Sequence, residues 1–241
     1  MGSTRLPRKV LADIGGRPLI QYVHERASMA KGADEVLVAT DSREVLDAVS
    51  AFGGRAVMTS SEHASGTDRI AEAVSSLECD IVVNVQGDEP LIEPSTIERV
   101  IELLADHPEA GMGTAAVRIT SDRAARDPNV VKAAISESGH ALYFSRSPIP
   151  YHRDLWKGPG DALASGSRLF KHIGIYSYRR DVLMRLAGLR PTALEMTERL
   201  EQLRALESGI MIAVAVVEAE TQGVDTPEDL ERVREILRSS P

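Results

Sequence analysis

The sequence predicts an α/β fold, a mostly parallel sheet with helices on both faces. Two observations carry that expectation. Short β-branched apolar runs, such as Asp80 to Val85 and Ile210 to Val217, recur along the chain. Amphipathic stretches with apolar residues three and four apart alternate with them, which is what strand–helix–strand crossovers need.

In chain order, a first helix begins at Pro18, lines up Leu19, Ile20 and Val23, and stops at Gly32. A strand follows over Glu35 to Ala39. Ser42 then caps a helix through Val45, Leu46, Val49 and Phe52, ended by Gly53 and Gly54. Ala56 to Thr59 is a short strand, Ile70, Ala71, Val74 and Leu77 mark a third helix, and Asp80 to Val85 is a buried strand. Pro94 opens a helix with Ile97, Val100, Ile101 and Leu104 inward, and Gly113 to Ile119 returns as a strand.

Regularity falls between residues 128 and 180. Strand-like runs over Val130 to Ser136, His140 to Phe144 and His172 to Tyr178 surround a Gly/Pro/Ser-rich stretch from Pro148 to Ser167, read as a mobile loop or lobe on a single domain of residues 1–241. Helical spacing resumes over Glu195 to Ser208, and the strand Ile210 to Val217 comes next. Thr226, Pro227 and Asp229 form a capping-box start for a terminal helix through Leu230, Val233 and Leu237.

Composition narrows the function. The chain has 241 residues, 43% hydrophobic and 27% charged, with a net charge of -8. That balance argues against a nucleic-acid or anionic-membrane binder, which needs a dominant basic face. The single Cys79 excludes an intrachain disulfide and a multi-thiolate zinc cluster, and fits a reducing cytoplasm. No apolar run is long enough to span a bilayer, and the first residues lack the apolar core of a secretory signal.

Ligands of open α/β sheets bind beyond the carboxyl ends of strands, so the loops there matter most. Gly2 to Lys9 combines small residues with Arg5, Arg8 and Lys9, a pattern that suits a phosphate and equally a frayed basic terminus. Gln86-Gly87-Asp88-Glu89-Pro90 places two acids after a strand, as a Mg²⁺ site or a solvated turn would. Asp225 precedes a helix, where the dipole alone favours an acid. The segment His63 to Arg69 offers Ser65, Gly66 and Thr67 either to a base or ribose or to a helix cap.

Seven blocks in register extend these readings: Ser3-Thr4-Arg5-Leu6-Pro7, His63 to Arg69, Asn84 to Pro90, Ala141 to Arg146, His172 to Tyr176, Leu200 to Arg204 and Gly223 to Leu230. Together they resemble the 3-deoxy-manno-octulosonate (Kdo) cytidylyltransferases along nearly the whole chain. The resemblance implies a nucleotide-diphospho-sugar transferase-like fold with a small dimerisation and sugar-binding lobe. It also implies a cytoplasmic, Mg²⁺-dependent homodimer that couples CTP to Kdo for lipopolysaccharide synthesis. It makes Arg5 and Lys9 triphosphate ligands and Asp88 and Asp225 the metal carboxylates, with Ser3 and the Ser65 to Thr67 loop near the nucleotide. Gln86, Arg153, His172, Tyr176, Glu201 and Gln202 then line the sugar-acid pocket, Arg153 matching the carboxylate bidentately.

The sequence departs from that pattern twice. An apolar strand ending in a basic residue, expected upstream of Ser3, is replaced by Met1, so the native start is expected further upstream. Arg8 stands where the family usually has Gly, a costly exchange if the loop needs positive φ. The competing readings are a cytidylyltransferase for another acidic sugar, such as 8-amino-Kdo or a nonulosonate, and a nucleotide-binding remnant inactivated by truncation. No Gly-x-Gly-x-x-Gly follows a strand, which argues against a dinucleotide oxidoreductase.

Overall fold

The computed structural model describes residues 6–153, 168–218 and 223–239. Ser3, Arg5 and the greater part of the Pro148 to Ser167 stretch lie outside these residues. A 3-10 turn, Lys9–Leu11, leads into β1 (Asp13–Ile14), β2 (Arg17–Pro18), α1 (Leu19–Ser28), β3 (Leu37–Thr40), α2 (Arg43–Ala51), β4 (Arg55–Met58) and α3 (Gly66–Ala73). Then come β5 (Ile81–Asn84), α4 (Pro94–Asp106), β6 (Met112–Arg118), α5 (Asp122–Arg126), β7 (Lys132–Ile135), β8 (Ala141–Ser145) and β9 (Phe170–Arg179). The chain ends through α6 (Arg180–Ala187), α7 (Ala193–Glu198), α8 (Gln202–Glu207), β10 (Ile212–Val217) and α9 (Pro227–Ser239).

The described residues fall into two compact units, one drawn from residues 6–79, 84–98 and 223–239, the other from 80–83, 99–153 and 168–218. In the first, β3 and β4 pair in parallel from Leu37↔Arg55 to Thr40↔Met58. Its core gathers Leu19, Ile20 and Val23 of α1, Val45 and Val49 of α2, and Leu230 and Val233 of α9 around Val224. Burying each such side chain contributes roughly 1.5–3 kcal/mol. The spacing is the helical one predicted for these segments, and Ser42 caps α2 by accepting from the Val45 N–H. A hairpin not anticipated from the sequence, β1–β2, turns on Gly15 and Gly16, both at positive φ as a two-residue hairpin turn requires.

The second unit holds a six-stranded sheet in the order β10-β6-β9-β7-β8, with β5 also paired to β9. The α/β class stands, and the sheet is mixed rather than mostly parallel. β10 and β6 run parallel, whereas β6–β9, β7–β9 and β7–β8 are antiparallel. All the antiparallel partners of β6 and β7 come from residues 128–180. β7 and β8 are joined by only five residues, too few for the crossover that parallel pairing demands.

A second correction concerns the helix expected over Glu195 to Ser208, which is two helices. Arg199 adopts φ 56°, ψ 48° and ends α7, and the Leu200 N–H turns back to the Glu195 carbonyl. The break points Glu198 toward β8 and leaves Glu195 for Arg204. Within α4, Leu103 is buried along with Ile97, Val100 and Leu104, while Ile101 is half-buried.

Candidate active site

In the first unit, three loops distant in sequence bring their charged residues together. Lys9 opens the 3-10 turn, whose neighbours Leu6, Val10 and Leu11 pack on the core. Asp88 lies on the turn after β5, which the Glu89 N–H closes by donating to the Gln86 carbonyl at 3.2 Å. Gly87 lets this turn lie close, for a Cβ there would stand 3.3 Å from Ile20 Cδ1. Asp225 immediately precedes the capping box of α9, in which Thr226 Oγ1 donates to Asp229 and accepts from the Asp229 N–H. The buried Val224 donates its N–H to the Asp88 carbonyl at 2.8 Å, which joins the two acidic loops through the backbone.

Lys9 Nζ bridges the two carboxylates, donating to Asp88 Oδ2 and, at 3.0 Å, to Asp225 Oδ1. Burial by itself would lower the Lys9 pKa. The hydrogen bond and charge of Asp88, then those of Asp225, outweigh it and hold the ammonium above its ordinary value. The two carboxylates face one ammonium, and hard oxygen donors of this kind suit Mg²⁺. Asp225 thus stands at a helix start and also pairs with Lys9 across the chain.

The His63 to Arg69 loop belongs to the same unit. Ser65 caps α3, its Oγ accepting from the Asp68 N–H at 3.2 Å, and Thr67 is buried while Gly66 is exposed. Arg69, which the sequence singled out for no role, fastens the loop: it donates to Thr59 Oγ1 at 2.7 Å and to Asp41 Oδ2 at 2.8 Å. Those residues follow β4 and β3, so the loop is tied to the carboxyl ends of the parallel pair. Gln86 is exposed, two residues before Asp88.

The remaining predicted sugar-acid residues lie in the second unit. His172 and Tyr176 share β9, with ring centroids 5.4 Å apart, and Phe144 lies edge-on to His172 at 5.0 Å. A bulge separates their partners on β6, since Thr114 pairs with Tyr176 and Ala115 with Ile173. Thr114 fills it: Oγ1 donates to the Ile175 carbonyl at 2.7 Å and so accepts from His172 Nε2 at 3.0 Å. His172 is thus a buried, neutral Nε2–H tautomer, and burial lowers its pKa to about 3.

Glu201 and the buried Gln202 stand at the start of α8 beside Arg204, whose guanidinium grips Glu195 bidentately at 2.8 and 2.5 Å. Arg153 is exposed and ends the described stretch. Two positions escaped the sequence. Glu198 accepts from Ser145 Oγ at 2.6 Å and the Arg146 N–H at 3.0 Å. Lys132 is fully buried and donates to the carbonyls of Asp127, Val130 and Arg146 at 2.9, 2.6 and 2.5 Å. Its only sequence signal is a lysine inside an apolar strand pattern.

Residues 1–213 match the family model described as Cytidylyltransferase. The chain is 52% identical over 238 residues to a 3-deoxy-manno-octulosonate cytidylyltransferase of Geobacter sulfurreducens, covering 98% of this chain and 95% of that one. It is 48% identical over 239 residues to the protein of that name from Trichlorobacter lovleyi, with the same coverage of 98% and 95%. The solved structure of CMP:2-keto-3-deoxy-manno-octonic acid synthetase complexed with CTP matches with a TM-score of 0.91 and 46% identity, covering 100% of this chain and 95% of that chain.

Proposed function

Because the chain belongs to the 3-deoxy-manno-octulosonate cytidylyltransferases, we propose that it transfers CMP from CTP to Kdo, giving CMP-Kdo and pyrophosphate. The observation that carries the reading furthest into this chain is the convergence of Lys9, Asp88 and Asp225. The anomeric hydroxyl of Kdo attacks the α-phosphorus of CTP. A phosphorus–oxygen bond to the sugar forms, the bond to the bridging oxygen breaks, pyrophosphate leaves with its electron pair, and the hydroxyl proton passes to solvent.

Both reactants are anions, so repulsion must be screened as well as atoms aligned. Lys9 serves the triphosphate together with Arg5, exchanging a carboxylate for a phosphate oxygen when CTP arrives. The carboxylate oxygens of Asp88 and Asp225 fit Mg²⁺ as the cofactor, and the Lys9 ammonium already lies between them as a cation would. Bound there, magnesium would supply charge neutralisation and a lowered pKa for the attacking hydroxyl. Ser3 and the Ser65 to Thr67 loop serve the nucleotide.

Gln86, Arg153, His172, Tyr176, Glu201 and Gln202 serve the sugar acid, with Arg153 pairing its carboxylate. His172 contributes by positioning Tyr176, because its own Nε2 is committed to Thr114. A cytoplasmic homodimer supplying lipopolysaccharide synthesis goes with this reading. Among the described residues no helix is long and apolar enough to cross a membrane.

Pyrophosphate release from CTP and Kdo with Mg²⁺ tests the assignment. Asp88→Ala and Asp225→Ala are each expected to lower kcat by on the order of 10²–10³-fold or more. Lys9→Ala is expected to raise the KM for CTP. Undiminished turnover in the Asp88 variant would remove the proposed centre, and preference for an amino-substituted or nine-carbon acid would move the substrate.

A further inference from the structure

A cluster of metal-ligating side chains lies wholly within the second unit. His107 follows α4, Glu109 stands two residues on, and His140 sits in the turn between β7 and β8. One oxygen of Glu109 is met from two sides, by His107 Nδ1 at 3.0 Å and His140 Nε2 at 2.9 Å. The imidazole centroids are 4.9 Å apart with planes at 78°, and all three donor atoms fall within 4.8 Å of one another.

We propose that His107, Glu109 and His140 bind a first-row divalent transition metal, with Zn²⁺ the best-matched ion. No residue of this site belongs to the Lys9, Asp88 and Asp225 group. Imidazole with one carboxylate is a donor set for zinc, nickel or cobalt rather than magnesium. A metal with ligands at about 2.0–2.2 Å spaces them roughly 3–3.5 Å apart, so the two distances to Glu109 need little adjustment, and the two imidazole donors, within 4.8 Å of each other, turn toward the shared ion. Glu109 is exposed and the two histidines are half-buried, which leaves water free to complete the coordination.

The backbone carries these donors in place. Arg179 donates to the Leu104 carbonyl at 2.7 Å and, through Nε, to that of Ala110 at 2.9 Å, clamping both sides of the His107 to Glu109 segment. On the other side, the Val214 N–H donates to the Gly139 carbonyl at 2.8 Å, and the Ser136 N–H donates to the His140 carbonyl at 2.8 Å. Gly139, at φ 81°, makes the turn that presents His140. Ser138 Oγ lies 3.1 Å from His140 Nδ1, the outer partner that fixes ring orientation in metal sites. Because the loop before β6 and the β7–β8 turn supply one histidine each, the ion would bind those two segments to one another.

The alternative for the same atoms is a plain hydrogen-bonded His–Glu–His staple, and two variants separate them. His140→Gln and His107→Asn each keep an N–H that reaches Glu109 but lose the imidazole. The full chain, stripped with chelator, is titrated with Zn²⁺ by calorimetry and with Co²⁺ by visible absorption, in wild-type and Asp88→Ala backgrounds. The expected result is saturable one-to-one uptake with a raised Tm in both backgrounds, weakened more than about tenfold by either histidine variant. Magnesium-supported turnover should be unchanged in His140→Gln. Absence of saturable uptake, uptake as tight in the histidine variants, or uptake lost with Asp88→Ala would each overturn the site.

Discussion

Arg8 holds φ at 58° and ψ at 26° immediately before Lys9, the left-handed conformation that a side chain other than glycine adopts at a cost of about 1–2 kcal/mol. Its guanidinium meets Glu44 at 2.7 Å, but both groups are more than half exposed, so the pair returns about 0–1 kcal/mol. Arg8→Gly is therefore expected to raise the urea midpoint, by roughly 0.5–1 kcal/mol of stability, with an unchanged m-value. The departure from the family's glycine was legible in the sequence; that the backbone keeps glycine's conformation was not. His172 shows the opposite limit. Alternation on a strand cannot reveal that its imidazole fills a bulge against Thr114, because the bulge arises from pairing with β6. Burial lowers its folded pKa to about 3, below the ordinary 6.5, so between those values the unfolded chain binds the extra proton. Stability should fall below pH 6.5, by about 1.4 kcal/mol per pH unit from this group, and His172→Gln should flatten that slope in denaturation measured across pH 4–7.

Elements were legible wherever a local signal marked both ends. Ser42 for α2 and the Thr226 to Asp229 box for α9 are examples, since capping is chemistry between residues three apart. The break between α7 and α8 carries no such mark, as an arginine rather than a glycine takes the left-handed position. Nor could the direction of β9 be read, because strand orientation follows from partners rather than from apolar run length. The α9 cap also acts on the candidate site, since Asp225 donates its N–H to the same Asp229 carboxylate at 3.2 Å. Thr226→Ala is expected to cost about 1 kcal/mol of stability. It should also raise the Mg²⁺ concentration needed for half-maximal turnover, which a loss of helix stability alone would leave unchanged. Lys132 works across elements too, joining the α5–β7 connection to the end of β8 through three carbonyls. Lys132→Met leaves those acceptors without their donor, and a loss of several kcal/mol in chemical denaturation is the expected outcome.

Across the whole molecule, a chain of net charge -8 handles two anionic substrates by local arrangement rather than bulk attraction. The family was legible because its residues lie in short contiguous blocks, and those blocks include the loops that carry the candidate site. The meeting of Lys9 with Asp88 and Asp225 spans most of the chain, and spacing alone could not have shown it. That meeting has a consequence for nucleophilic reactivity. The chain has only five lysines, and an acylating reagent attacks the neutral amine alone. Lys31 is exposed and should be labelled first; Lys9, held as ammonium by two carboxylates, should lag well behind it at pH 8; Lys132 should be labelled only as fast as the second unit opens. Peptide-level mass spectrometry after timed labelling would then follow the candidate centre and the opening of the second unit in one sample, each through a different amine.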